Sequence, residues 1–354
     1  MTVDDLDTPA LLIDLDVVDR NIARLQAYCN DRGLSLRPHI KTHKIPALAH
    51  RQLAAGARGI TCQKLGEAEV MAAAGITDIL ITFNLVGSQK IERLARLLRQ
   101  ARMRVTADAH EILPGLGAAA RRANTELPVL VECDTGLGRN GVQTPREAVA
   151  MAQAIAAQDG LRFLGLMTYP TPPAGSEWMA EAMALLEHAG LRPEVVSAGG
   201  TVEATHTHLF HEVTEIRAGN YLYNDLTTVA RGGAILADCA QHVLATVTNR
   251  PTPTRAILDS GSKSLTSDLV RGGSHALPGH GHIVEYPDAL VGPLSEEHAI
   301  VDLSRSNKVP ALGERVQVIA NHCCTVTNLF DLVYAHRGGV IEAIWPVAAR
   351  GKVQ

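Results

Sequence analysis

Two lysines and two histidines crowd the segment Arg37-Pro-His-Ile-Lys-Thr-His-Lys44. It follows the short run Gly33-Leu-Ser-Leu36, which reads as a strand ending in a turn. Burying an ammonium without a partner is costly. A lysine at the end of a buried strand therefore points to an amine whose pKa has to fall so that it can attack a carbonyl carbon. Lys41 is the candidate nucleophile. Taken alone, the segment also reads as a solvated basic loop after an edge strand.

Two later segments suit a phosphate. Ser197-Ala-Gly-Gly-Thr201 and Ala218-Gly-Asn-Tyr221 each close an apolar run. Glycines Gly199, Gly200 and Gly219 let backbone N–H groups approach phosphate oxygens, and Thr201 adds a hydroxyl donor. Other polar residues at the ends of apolar runs are Gln63 and Lys64, Asn84, Asp108 and His110, and Tyr169. The run ending at Cys133 continues as Asp-Thr-Gly-Leu-Gly-Arg-Asn-Gly141, where Arg139 is a candidate partner for a heterocycle or a carboxylate. An amine together with a phosphate cradle would hold a phosphorylated aldehyde, which describes pyridoxal 5′-phosphate.

A repeating scaffold has to carry these residues. Residues 8–14 are an apolar run of β character, and Val17 to Asn30 set Val18, Ile22, Leu25 and Tyr28 on one helical stripe. Strand and helix signals then alternate. Turn-bounded apolar runs occur at 34–40, 58–62, 78–83, 103–108, 128–133, 163–169, 194–198 and 213–218. Between them, 45–56, 65–74, 88–102, 145–158 and 176–190 are rich in Ala, Leu and Arg, which favours helix. Short apolar strands alternating with helices imply a parallel sheet covered on both faces. Eight such units predict a (β/α)8 TIM-type barrel, whose chemistry sits at the C-terminal strand ends and whose phosphate site follows strands seven and eight. A doubly wound sheet would instead show a Gly-rich dinucleotide turn after its first strand, where this chain has Lys41.

After about residue 236 the helical stripes stop. Runs at 242–247, 254–259, 299–303, 315–319, 331–335 and 340–345, separated by Gly and Pro, predict a C-terminal all-β domain. The expected division is a cofactor-binding barrel over 16–235 and a β-rich domain of 1–15 with 236–354, the early apolar run joining it as an added strand.

The chain has 354 residues, 46% hydrophobic and 20% charged, a globular composition long enough for two cores. Its net charge of −4 argues against a nucleic-acid or anionic-membrane partner held by bulk electrostatics. The start, Met1-Thr-Val-Asp-Asp5, lacks an apolar signal core, and the six cysteines form no disulfide framework, so a reducing cytoplasm is expected.

The segments Arg37–Lys44, Gly59-Ile-Thr-Cys-Gln-Lys64 and Asp134-Thr-Gly-Leu-Gly-Arg-Asn-Gly-Val142 resemble the D-threonine aldolase / D-serine dehydratase family, of alanine-racemase-like (fold type III) architecture. The resemblance continues through Leu258-Asp-Ser-Gly-Ser-Lys263, Ser295-Glu-Glu-His298 and Asn321-His-Cys-Cys-Thr325, so it covers nearly the whole chain. It implies that Lys41 carries the cofactor as a Schiff base, that the glycines with Thr201, Asn220 and Tyr221 hold the phosphate, and that Arg139 lies near the pyridine ring, with Gln63 and Tyr169 among the cofactor contacts. It also implies one divalent cation, zinc or manganese, held by a histidine and a second ligand two residues on. His322 and Cys324 stand there. On a strand that spacing puts both side chains on one face, and imidazole with thiolate favours zinc by softness.

The departures are specific. Aldolases of the family carry an acidic residue at the second metal position, whereas the dehydratases carry cysteine, as here. Asp259-x-Gly-x-Lys263 and Trp345-Pro-Val-Ala-Ala-Arg350 stand closer to the aldolase branch. Aldolases also show a Tyr-His pair after strand six whose histidine can take the substrate's hydroxyl proton. Here Tyr169-Pro170 and a shortened Thr-Pro-Pro loop replace it, leaving His39, His298 or a metal-held hydroxide. The implied activity is retro-aldol cleavage of a D-3-hydroxy amino acid to glycine and an aldehyde. The alternative is dehydration of D-serine or D-3-hydroxyaspartate. A non-catalytic pyridoxal-phosphate carrier would not need the β-rich domain, and a racemase would have no use for a metal pair. Pairs His206/His208 and His280/His282 read as exposed loop histidines. If the β-rich domain reaches a partner's site, a homodimer follows.

Overall fold

The computed structural model describes residues 1–171, 175–210, 212–270 and 275–354. Pro172 and Pro173 of the shortened loop lie outside the described residues. In chain order the strands are β1 (Ala10–Asp14), β2 (Ser35–Leu36), β3 (Ile60–Cys62), β4 (Asp78–Ile81) and β5 (Arg102–Ala107). Then come β6 (Leu127–Cys133), β7 (Leu161–Thr168), β8 (Val195–Ala198) and β9 (Glu215–Ile216). After them lie β10 (Gln241–Thr252), β11 (Arg255–Leu258), β12 (Gly281–Ile283) and β13 (Leu290–Leu294). The last four are β14 (Ala299–Asp302), β15 (Arg315–Ala320), β16 (Leu332–Arg337) and β17 (Val340–Pro346).

The eight runs expected to build a barrel are β2 to β9. They form one parallel sheet in the order β2-β9-β8-β7-β6-β5-β4-β3. Its two end strands come together through the parallel bridge His39↔Thr61 and the Arg58 N–H to Leu36 O hydrogen bond of 2.8 Å. Strands β3 and β4 are buried along their whole length, as strands covered on both faces must be. The sheet is thus TIM-like, with helices such as Pro46–Ala54, Leu65–Ala73 and Pro145–Ala157 between successive strands. The last of these starts on a capping box in which Thr144 accepts from the Glu147 N–H and Glu147 reaches back to the Thr144 N–H.

Chain contacts divide the molecule into two units. The barrel unit comprises Arg24–Lys41, Pro46–Gly219 and Gly351–Gln354, and the second unit Met1–Ala23, Thr42–Ile45 and Asn220–Arg350. The second unit is a mostly antiparallel sheet in the order β13-β14-β11-β10-β1-β16-β17, with β15 pairing β10 and β12. β1 runs antiparallel to β10 and parallel to β16. Leu6, Ala10, Leu12 and Leu244 pack around it. β12 and β13 were not apparent in the sequence because each is short and half-exposed, without an apolar alternation.

Candidate active site

Beyond the end of β2 at Leu36 the chain runs to a tight turn, Ile40–Thr42, that carries Lys41. The Lys41 ammonium lies 5.9 Å from the centroid of the Tyr169 ring, and the Arg139 guanidinium 5.2 Å from the same centroid. Three candidates from the ends of three different strands are thereby gathered on one aromatic ring. Lys44, by contrast, is buried in the second unit and donates to the Ala349 carbonyl at 3.5 Å.

Arg139 is exposed on a loop that is fixed at its base. Asp134 Oδ1 accepts from the N–H groups of Gly136, Leu137 and Gly138 at 2.9, 2.9 and 3.1 Å. Asp108 takes the Gly141 N–H at 2.8 Å. Gly141 has φ +110°, and a side chain there would run into the Cys133–Asp134 backbone, so only glycine closes the loop. Both ring nitrogens of His39 are engaged: Nε2 donates to Gln63 Oε1 (3.1 Å), and Nδ1 accepts from the Lys41 N–H (3.4 Å). Gln63 Nε2 in turn donates to Thr82 O at 2.9 Å. His39 and Gln63 thus support the backbone of Lys41.

The turn after β8 is equally constrained. A Cβ on Gly199 would lie 3.1 Å from a Tyr169 ring carbon and 3.2 Å from both terminal nitrogens of Arg217. Gly200 carries the Glu203 carboxylate against the space a side chain would fill. Arg217, buried beneath the turn, donates to Ser197 Oγ (2.9 Å) and to the Thr168 carbonyl. Burial lowers its pKa to about 10, still a cation at neutral pH.

In the second unit, the expected strand geometry of His322 and Cys324 is corrected. β15 stops at Ala320, and Cys323–Thr327 is a short helix with extended His322 at its N-cap. The two side chains nevertheless interact. His322 Nδ1 lies 3.0 Å from Asp225 Oδ2, and Cys324 Sγ 3.3 Å from Thr42 Oγ1. A hydrogen bond from Cys323 and the nearby His322 hold the Cys324 thiol well below its usual range. Burial would lower the His322 imidazole, but the Cys324 sulfur and Asp225 outweigh it and raise it to about 11. Burial pushes the Cys323 thiol well up, and its sulfur lies against Asn220 Oδ1. The Asn220 side chain is therefore committed to Cys323, Asp225 and Thr228. Tyr221 is buried in the same turn. His298 sits on the exposed β13–β14 turn, where its carbonyl accepts the Ser295 N–H at 2.9 Å. Of the other pairs, His208 hydrogen-bonds Tyr28 at 2.8 Å, and His280 and His282 are half-buried rather than exposed.

The sequence profile of the alanine racemase N-terminal domain matches residues 13–227, and that of a serine dehydratase domain matches 240–336. The chain is 34% identical to the D-threonine aldolase of Arthrobacter sp over 98% of its own length and 93% of that protein. The chain belongs to the D-threonine aldolase / D-serine dehydratase family of fold type III pyridoxal-phosphate lyases. The crystal structure of the D-threonine aldolase of Filomicrobium marinum superposes with a TM-score of 0.91, at 34% identity over 99% of this chain and 97% of that one. The D-threo-3-hydroxyaspartate dehydratase of Delftia sp. HT23 superposes at 0.87, with 29% identity over 98% of both chains. That dehydratase is also known as a cysteine-to-alanine variant in a metal-free form and as a variant with a histidine two positions earlier replaced by alanine.

The residues present fit the family's cofactor. An amine, a guanidinium and an aromatic face converge beside Gly199, where an added Cβ would crowd the Tyr169 ring and the Arg217 guanidinium. They also fit a cation: a thiol biased toward thiolate stands beside an imidazole tied on one nitrogen to a buried carboxylate. The Tyr223 hydroxyl, fully buried and without a hydrogen-bond partner among the described residues, lies within electrostatic reach of both cysteines. Two residues, one beside the candidates of each unit, escaped sequence reasoning. Arg217 was marked only by a charge inside an apolar run, and Asp225 only by its place before Leu-Thr-Thr, an ordinary helix-capping position.

Proposed function

We propose that this lyase acts on D-3-hydroxy amino acids by retro-aldol cleavage to glycine and an aldehyde, with pyridoxal phosphate on Lys41 and one divalent cation on His322 and Cys324. The observation that carries the reading is the convergence of Lys41 and Arg139 on the Tyr169 ring beside Gly199. Bound cofactor supplies an electron sink for the charge left on Cα, and the cation supplies Lewis acidity toward a β-hydroxyl. The protein's own residues position the reactants. His39 and Gln63 fix the turn that presents the Lys41 amine. Arg139 keeps a positive charge over the ring site, so a basic heterocycle there stays unprotonated. Gly199, Gly200 and Thr201 offer backbone and hydroxyl donors to phosphate above the buried Arg217 cation. Zinc is the ion that imidazole and thiolate favour over manganese.

Dehydration is the second reading, and Cys324 favours it. A dehydratase of the family is known as a cysteine-to-alanine variant in a metal-free form, and another of its variants replaces a histidine two positions earlier. That is the spacing of His322 and Cys324. Incubation with D-threonine and with D-serine separates the two: acetaldehyde and glycine from D-threonine are expected, whereas pyruvate from D-serine without aldehyde release selects elimination. Lys41→Ala should abolish the visible band of the lysine-bound cofactor and lower turnover by more than about 10³-fold. A Lys41→Ala protein that keeps both would refute the assignment.

A further inference from the structure

Asp225 is 1% exposed and caps the helix Leu226–Ala230. Its Oδ1 accepts from the Thr228 N–H and hydroxyl, each at 2.9 Å. An N-cap requires no more than that. Its Oδ2, however, takes three further donors: His322 Nδ1 at 3.0 Å, the Cys323 N–H at 3.1 Å and Asn220 Nδ2 at 2.9 Å. Capping explains one oxygen and leaves the other aimed at the ligand segment. His322 meanwhile is 37% exposed, so one edge of the ring is tied to a buried carboxylate and the rest is accessible.

We propose that Asp225 is the positioning residue of the metal centre, holding the proton on His322 Nδ1 so that Nε2 is the ligand atom, and holding the Cys323 N–H so that the helix starting there presents Cys324 beside it. An imidazole has two nitrogens, and the acceptor on one decides which lone pair remains for an ion. A serine or asparagine would cap the helix equally well. Only a carboxylate adds the negative charge that makes the imidazole a stronger donor. This inference rests on the proposed role of His322 and Cys324 as ligands.

The test is zinc affinity of the cofactor-loaded protein, measured by competition with a chromogenic chelator. Asp225→Asn should bind zinc about 10–100-fold more weakly, with the cofactor's visible band and circular dichroism unchanged. Thr228→Val removes a donor to Oδ1 without touching His322, and should leave zinc affinity within about twofold of the parent. His322→Ala should lose binding. If Asp225→Asn binds as tightly as the parent while His322→Ala does not bind, Asp225 has no such role and the ligand pair stands. If Thr228→Val weakens zinc as much as Asp225→Asn, the effect is helix disruption and the inference fails. A parent that takes up no zinc, or a His322→Ala protein that binds it equally tightly, defeats the ligand reading itself. Should Asp225→Asn fail to fold, ¹⁵N spectra of His322 in the zinc-loaded parent decide: a proton on Nδ1 supports the inference, and a proton on Nε2 overturns it.

Discussion

At the scale of single residues, the site depends on how little room surrounds Gly199. Its position between the Tyr169 ring and the Arg217 guanidinium leaves 3.1–3.2 Å for a methyl group, closer than side chains normally pack. Gly199→Ala must therefore push Tyr169 aside or lift the turn from Arg217. Tyr169 is the ring on which Lys41 and Arg139 converge, so either movement disturbs the proposed cofactor contacts. The expected result is a pyridoxal-phosphate dissociation constant on the order of 10-fold higher, read by absorbance titration of cofactor-free protein. An unchanged affinity would show that this turn does not hold the phosphate.

Among the elements, a chain of charges ties the barrel strands to that turn. Arg37, fully buried after β2, donates to Glu215 of β9 at 2.8 Å and to Asp78 of β4 at 2.5 Å. Arg104 of β5 stands 3.5 Å from Asp78 and 3.8 Å from Glu215. Ser197 of β8 donates to Glu215 at 2.8 Å and accepts from Arg217 at 2.9 Å. Glu215→Gln would leave Arg37 and Arg104 sharing one carboxylate in a buried setting. Breaking one partner of a buried pair costs about 3 kcal/mol or more. A lower urea midpoint with an unchanged m-value is the expected outcome. Because Ser197 would lose its anionic acceptor, a weaker hold on Arg217 and a raised cofactor dissociation constant should accompany it.

Stability of the molecule as a whole should depend on pH through a pair of histidines in the second unit. His242 on β10 and His336 on β16 flank β1, which carries Asp14. Burial, and then repulsion from His336, lower His242 from 6.5 to about 4, against the attraction of Asp14. Burial lowers His336 too. Between pH 6.5 and about 4 the unfolded chain binds a proton at His242 that the folded chain refuses. The contribution is therefore complete above pH 6.5 and lost as the pH falls toward 4. For His242 alone the loss is about 3 kcal/mol by the free energy per pKa unit. About 2 kcal/mol of that loss falls between pH 7.5 and 5, so urea midpoints at those two values should differ, and His242→Phe should flatten the difference. A midpoint independent of pH over that range would remove His242 from the account.

The alternation of eight apolar runs with helix-forming segments determined the parallel barrel, because strands buried on both faces have to be apolar throughout. Lys41, Arg139 and Tyr169 stood out because each is a polar residue at the end of an apolar run, and the structure gathers them at one ring. Local sequence did not contain the rest. His322 and Cys324 read as alternating residues of a strand, but β15 ends two residues early and the chain winds into a helix on the oxygen of Asp225. Arg217 and Asp225 acquire their meaning from partners 20 and 97 residues away, so no spacing along the chain announces them. The pairing of His39 with Gln63 likewise exists only because β2 and β3 lie side by side. Periodicity fixes which face of an element is buried. Which polar groups then meet inside is decided by tertiary contact, since a hydrogen bond depends on distance in space and not on separation along the chain.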